Sequence, residues 1–244
     1  MILQIKNLTG GYTQGHDILQ GVDLEVKQGD SIGIIGLNGS GKSTFAKAIM
    51  NCLPYRSGSL IFNGIDISKK STQSLSQMGI AMFVQGGQVF TELSVYENLL
   101  LAAKNKSKIA AIQEYFVLLH ASIFHLKQMR ADKLSGGERS QLALAMNVLK
   151  EPSLLILDEP SAGLSPLVVN EMYQILETLR SENRLTTILI EQNIARAVDF
   201  CSSVNMMTNG RIVYTSKNMP KKGRTMCSSE NQPLKEIEKI MFNN

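Results

Sequence analysis

The chain reads as an α/β protein with a parallel-sheet core, a small antiparallel β-subdomain and an inserted helical subdomain. Short apolar runs at 31–35, 154–157 and 186–190 have the length and composition of buried strands. The last two flank a helical stretch at 166–182, and strand, helix, strand in that order is the pattern of parallel strands joined by a crossover helix. Between 94 and 150 the spacing turns helical, with few strand-like runs.

Taken in order, Ile2-Leu3-Gln4-Ile5 alternates as a strand, and Gly10-Gly11 is expected to break it. Residues 18–26 form a second β-leaning stretch ending at Gln28-Gly29-Asp30. The run 59–62, the turn pair Asn63-Gly64 and the run 65–67 make a hairpin. Residues 80–84 read as another strand, and the helical subdomain spans about 86–150. Two runs at 204–208 and 211–215, joined by Asn209-Gly210, close the fold as a second hairpin. One domain over 1–215 is thus expected, followed by a polar and partly basic extension at 216–244. Late in that extension, Leu234, Ile237, Ile240 and Met241 are spaced to line one face of a short helix.

Composition narrows the function. A chain of 244 residues, 43% hydrophobic and 19% charged, can bury a sizeable core and is not intrinsically disordered. Cys52, Cys201 and Cys227 are odd in number and widely spaced, which argues for a reducing compartment; with His16, His120 and His125 they show no zinc spacing. No apolar run approaches the roughly 18 residues of a membrane helix, and the start lacks the features of a secretory signal. A soluble, cytoplasmic protein is expected, meeting a membrane only from its surface through a partner. The net charge of +4 is mild and forms no dense basic stripe, so nucleic acid is not an expected partner. The scattered methionines read as core filler.

Gly36-Leu37-Asn38-Gly39-Ser40-Gly41-Lys42-Ser43-Thr44 satisfies the phosphate-loop pattern G-x-x-x-x-G-K-[ST] and lies between a buried strand and an amphipathic helix. Glycines let the backbone curl until several N–H groups face one anion, and the following helix adds its positive N-terminal pole. Lys42 supplies a point charge for β- and γ-phosphates, and the Ser43 hydroxyl is a hard oxygen ligand suited to Mg²⁺.

Leu154-Leu155-Ile156-Leu157-Asp158-Glu159-Pro160 sets two carboxylates at the end of an apolar strand. Ligands of doubly wound sheets collect beyond the carboxyl ends of the strands. Asp158 is placed there to hold Mg²⁺ through a water. Glu159, on the opposite side of the strand, is placed to orient and deprotonate an attacking water, and Pro160 stops the strand.

Leu134-Ser135-Gly136-Gly137-Glu138, about twenty residues before that pair, resembles the signature of ATP-binding cassette (ABC) proteins. On its own chemistry, a serine hydroxyl and two glycine amides opening a helix form a second anion site. With the phosphate loop and Asp158-Glu159, the resemblance covers about residues 1–215 and implies a P-loop NTPase fold of ABC type. It implies ATP and Mg²⁺ as cofactors. It also implies a head-to-tail dimer, with a second copy or a different ABC ATPase, in which ATP lies between the phosphate loop of one subunit and Ser135, Gly136 and Gly137 of the other. Transmembrane permease subunits are the further partners implied, so that ATP hydrolysis on the inner face of the cell membrane drives transport. Position by position, Tyr12 matches the aromatic that stacks on adenine. Gln85 matches the glutamine that contacts Mg²⁺ and water and senses the permease. Ser161-Ala162-Gly163-Leu164-Ser165-Pro166 matches a loop crossing the dimer interface.

One position departs from the family. Gln192 follows the strand 186–190 where the family usually has a histidine contacting the γ-phosphate, and glutamine donates a hydrogen bond but cannot carry a proton near neutral pH. Glu191-Gln192-Asn193 and the stretch 88–99 resemble one of the two ATPase subunits of branched-chain amino-acid and urea-type importers, whose companion ATPase keeps the histidine. The alternatives are a soluble ABC ATPase outside transport and a regulatory cassette that binds ATP without hydrolysing it. Intact Lys42, Asp158 and Glu159 argue against the latter.

Overall fold

The computed structural model describes residues 1–103, 106–118, 122–183 and 185–217. His120, Cys227 and the amphipathic segment expected after Pro233 lie outside the described residues. Two compact units divide the chain: Met1–Met78 joined to the part from Thr186 onward, and Gly79–Leu185.

The first unit opens with β1 (Leu3–Gly11), β2 (Leu19–Val26), β3 (Ser31–Ile35), α1 (Lys42–Ile49), β4 (Tyr55–Phe62), β5 (Ile65–Asp66) and α2 (Thr72–Gln77). An antiparallel sheet of order β2-β1-β4-β5 forms from the alternating segments. The hairpin expected at Asn63-Gly64 is present, with φ of 49° and 78° as a two-residue turn of the favoured hand requires. The break expected at Gly10-Gly11 is not: β1 runs through both glycines. Backbone proximity explains their presence, since a Cβ on Gly10 would lie 2.8 Å from Tyr55 O and one on Gly11 2.5 Å from His16 O. The strand is irregular earlier, around Asn7 at φ 49°, where its pairing with β2 and β4 shifts register.

The second unit contains β6 (Ile80–Phe83), α3 (Val95–Ala102), α4 (Lys106–Leu118), α5 (Gly136–Val148), β7 (Leu154–Asp158) and α6 (Pro166–Asn183). Leu154, Leu155, Ile156 and Leu157 are fully buried in β7, which pairs in parallel with β6. Both α3 and α5 begin with a capping box. Ser94 Oγ accepts from Glu97 N while Glu97 Oε2 accepts from Ser94 N, and Ser135 and Glu138 repeat the exchange.

The chain then re-enters the first unit as β8 (Thr186–Glu191), α7 (Ile194–Phe200), β9 (Ser203–Thr208) and β10 (Arg211–Lys217). β3 is the centre of this layer, parallel to β8 on one side and β9 on the other, with β10 antiparallel at the edge of β9. The expected closing hairpin is therefore present. The short helices α2 and α7 carry too little apolar periodicity to read in sequence. Each is set by an N-cap, Ser71 accepting from Ser74 N and Asn193 accepting from Arg196 N.

Register fixes where the functional loops leave each layer. Ile35 stands beside Glu191, so Gly36 and Gln192 depart from the same edge of the first unit. Phe83 stands beside Leu157, so Gln85 and the Asp158-Glu159 pair depart from the same edge of the second.

Candidate nucleotide site

The phosphate loop is a curl between β3 and α1. Gly39 and Gly41 take φ of 80° and 102°, a region that L side chains rarely enter. A side chain on Gly36 would strike the carbonyl of Met207. Lys42, only 4% exposed, folds back so that Nζ donates to Gly36 O at 2.8 Å and Leu37 O at 2.9 Å, which sets its charge at the mouth of the curl. Ser40 N donates to Leu37 O, and Gly210 N donates to Ser40 O. Ser40 Oγ is buried and finds no hydrogen-bond partner among the described residues. A buried hydroxyl without a partner in a glycine-rich curl that opens a helix fits an oxyanion ligand, because phosphate oxygens are the acceptors such a donor lacks. Ser43 and Thr44 lie in the first turn of α1.

Tyr12 directly follows β1 and is 47% exposed. Its one described polar contact is with Lys47 of α1, whose Nζ donates to the phenol oxygen at 3.2 Å. Gln192 is exposed just past β8.

In the second unit Asp158 ends β7 and is 5% exposed. Glu159 does not continue the strand. Its φ of 45° turns the chain into the left-handed region, so the alternation that would send it to the opposite face does not apply, and the strand stops two residues before Pro160. Among the described non-glycine residues with positive φ, four are asparagines, which tolerate that region; Glu159 and Glu151 are the others. Strain of this kind persists where surrounding structure imposes it, and functional sites are where it collects. Gln85 follows β6 after Val84, which lies outside the strand, and its Nε2 donates to Glu159 Oε2 at 3.2 Å.

Ser135 is the N-cap of α5. Its Oγ accepts from Glu138 N at 3.3 Å, which leaves the hydroxyl proton free to donate. A Cβ built on Gly136 meets no atom within 4 Å, so the approach to the helix start is open. In the segment after β7, Gly163 takes φ 73° and Leu167 is 68% exposed.

Beside Gln85 lies a groove of about 560 Å³ lined by Val84, Gly86, Phe90, Arg139, Met146 and Lys150 among others. Phe90 is 56% exposed at its rim, and neither Arg139 nor Lys150 has an ion-pair partner among the described residues. The sequence gives no warning of Arg139 or of Lys47. A helical period cannot tell which half-buried cations share a wall or touch a ring. No described residues form a cluster of three or more His, Cys, Asp or Glu, and no described helix is long and apolar enough to cross a membrane.

A family model described as "ABC transporter" matches residues 19–162. The chain is 34% identical over 219 residues to the probable branched-chain amino acid transport ATP-binding protein LivF of Archaeoglobus fulgidus, covering 87% of this chain and 91% of that one. It is 33% identical over 197 residues to the high-affinity branched-chain amino acid transport ATP-binding protein BraG of Pseudomonas aeruginosa, covering 80% and 84%. The ADP conformation of MJ1267, an ATP-binding cassette of an ABC transporter, superposes with a TM-score of 0.77 at 27% identity, covering 89% of this chain and 91% of that one.

Proposed function

The chain belongs to the ABC transporter family, and from that premise we propose how its residues divide the work of an ATPase subunit. Its activity is ATP binding and hydrolysis coupled to transport, in a family whose ATPases act with membrane permease subunits and form dimers.

In this proposal the 36–44 loop grips the β- and γ-phosphates with backbone amides, Lys42 and Ser40. The observation that carries it is Lys42 folded onto the loop beside the orphaned Ser40 hydroxyl. Tyr12 stacks on the adenine. Ser43, Gln85 and Asp158 each carry a hard oxygen donor of the kind Mg²⁺ takes. Mg²⁺, when bound, neutralises charge on the phosphate oxygens. Glu159 orients the attacking water and takes its proton. Gln192 donates a hydrogen bond toward the γ-phosphate. Ser135, Gly136 and Gly137 serve the nucleotide of a second cassette docked head to tail, and the 161–166 loop crosses that interface. Positioning and electrostatics supply most of the acceleration.

The functional domain is taken as 1–215, with β10 carrying the sheet two residues further to Lys217. A permease segment seats in the groove beside Gln85 on the cytoplasmic face of the membrane, and the similarity to LivF and BraG supports import of branched-chain amino acids or related small solutes.

The test is reconstitution of the chain with permease subunits and a companion ATPase in vesicles. Phosphate release that requires Lys42 and rises with a branched-chain amino acid on the import side is expected. Release indifferent to such solutes overturns the substrate, and release indifferent to Lys42→Ala overturns the site.

A further inference from the structure

We propose that Lys47 is a positioning residue that fixes the Tyr12 ring for the purine of ATP, a role that rests on the reading of Tyr12 as the stacking aromatic. Lys47 Nζ lies 3.2 Å from the Tyr12 hydroxyl and 5.4 Å from the ring centroid. Together these distances place the ammonium at the oxygen end of the phenol, past the ring's perimeter. The ammonium itself therefore covers neither face of the ring, and the side chain is 47% exposed.

Lys47 is half-buried in the last turn of α1, and no other part of the described site accounts for it. Lys47 stands five residues after Lys42 on α1, the helix whose first turn carries Lys42 and Ser43. At about 1.5 Å rise per residue, the two lysines are separated by roughly 7.5 Å along one rigid element. The same helix thus fixes the grip on the phosphates and, through the lysine, the orientation of the ring. Tyr12 otherwise sits past the end of β1, ahead of a turn that includes Gly15 at φ 86°, and its half-exposed side chain has two torsions to order on binding. Holding one such side chain in its bound orientation before the ligand arrives is worth about three- to tenfold in affinity. The effect falls on binding, because Lys47 touches no reacting atom in this arrangement.

The probes are ATP and inorganic tripolyphosphate, each with Mg²⁺, titrated calorimetrically against the full chain. Lys47→Met is expected to weaken ATP about three- to tenfold while leaving tripolyphosphate unchanged, which also shows that the phosphate site is still folded. Lys47→Arg keeps a donor and a cation at that position and retains affinity. In a Tyr12→Ala background, which itself weakens ATP, adding Lys47→Met costs nothing further. In the assembled transporter Lys47→Met raises KM and leaves kcat unchanged. Equal losses for ATP and tripolyphosphate mean that the lysine acts as a general attractor of phosphate, and additive losses mean that it acts independently of the ring. Either result overturns the role of Lys47 alone. Unchanged ATP affinity in Tyr12→Ala overturns the assignment of Tyr12, and the proposal with it.

Discussion

Gln85 Nε2 donates to Glu159 Oε2 at 3.2 Å, joining the loop after β6 to the carboxylate just past β7. The parallel pairing of Phe83 with Leu157 brings these two exits together. Because Val84 and Gly86 also line the neighbouring groove, displacement of this loop acts directly on the proposed base. Glu159→Gln keeps the shape of the side chain and removes its basicity. Phosphate release by the assembled transporter should fall at least about a hundredfold, while nucleotide affinity stays within a few-fold. The variant should persist as an ATP-bound dimer in size-exclusion chromatography. Turnover at the parental rate would falsify the assignment of the base.

Lys42 lies buried with two loop carbonyls as acceptors, so removing it takes away the charge at the mouth of the curl. Hydrogen bonds to charged groups contribute about 1.5–3 kcal/mol, or about ten- to a hundredfold in affinity. Lys42→Ala should weaken ATP and tripolyphosphate alike by that factor in equilibrium titration. A loss confined to ATP contradicts a phosphate role.

Much of this arrangement was legible beforehand because the motifs are local. The 36–44 loop, Asp158 and Ser135 are each fixed by a strand end or a helix start that periodicity and capping chemistry reveal. Three features were not. Gly10 and Gly11 read as breakers, although they serve a close backbone approach within β1. Glu159 was placed by strand alternation that its positive φ cancels. The contact between Lys47 and Tyr12 joins residues 35 apart, and tertiary proximity of that kind leaves no periodic trace.

Arg139 and Lys150 place two cations on a groove whose other walls include Phe90 and Met146. If a permease segment docks there as proposed, it should present apolar side chains together with a carboxylate. Arg139→Glu should lower retention of the chain by detergent-solubilised permease and uncouple phosphate release from solute. Because exposed charge pairs contribute about 0.2–1 kcal/mol each, a loss of up to about fivefold is expected from this one change. ATP affinity of the isolated chain stays unaltered. Undiminished retention argues that the partner meets another face.

Glu97 shows how acid should act on α3. The Ser94 backbone N–H, and then its hydroxyl, hold the Glu97 carboxyl below the usual carboxylate range. A depressed folded-state value contributes stability above the unfolded pKa, and that contribution is lost as pH falls through the folded value. The parent should therefore lose thermal stability between about pH 5 and the lower folded value, more steeply than Glu97→Gln. Ser94→Ala removes the reciprocal cap and should cost about 1 kcal/mol at neutral pH. Identical acid profiles for parent and Glu97→Gln rule out this source.

Gln192 leaves the same sheet edge as Gly36 because Glu191 is paired with Ile35. In the role proposed above its amide donates a hydrogen bond toward the γ-phosphate and carries no proton between groups. The chain purified alone should therefore turn over slowly, and a companion ATPase that supplies a histidine should raise the rate. Gln192→His restores an ionisable group at this position without altering the phosphate loop. General acid–base groups contribute about 10²–10⁴-fold, so even partial recovery should raise phosphate release by the isolated chain about tenfold. The new activity should follow an ionisation near pH 6.5 that the parent lacks. Robust turnover by the parent alone, or a pH profile unmoved by the histidine, removes Gln192 from the limiting step.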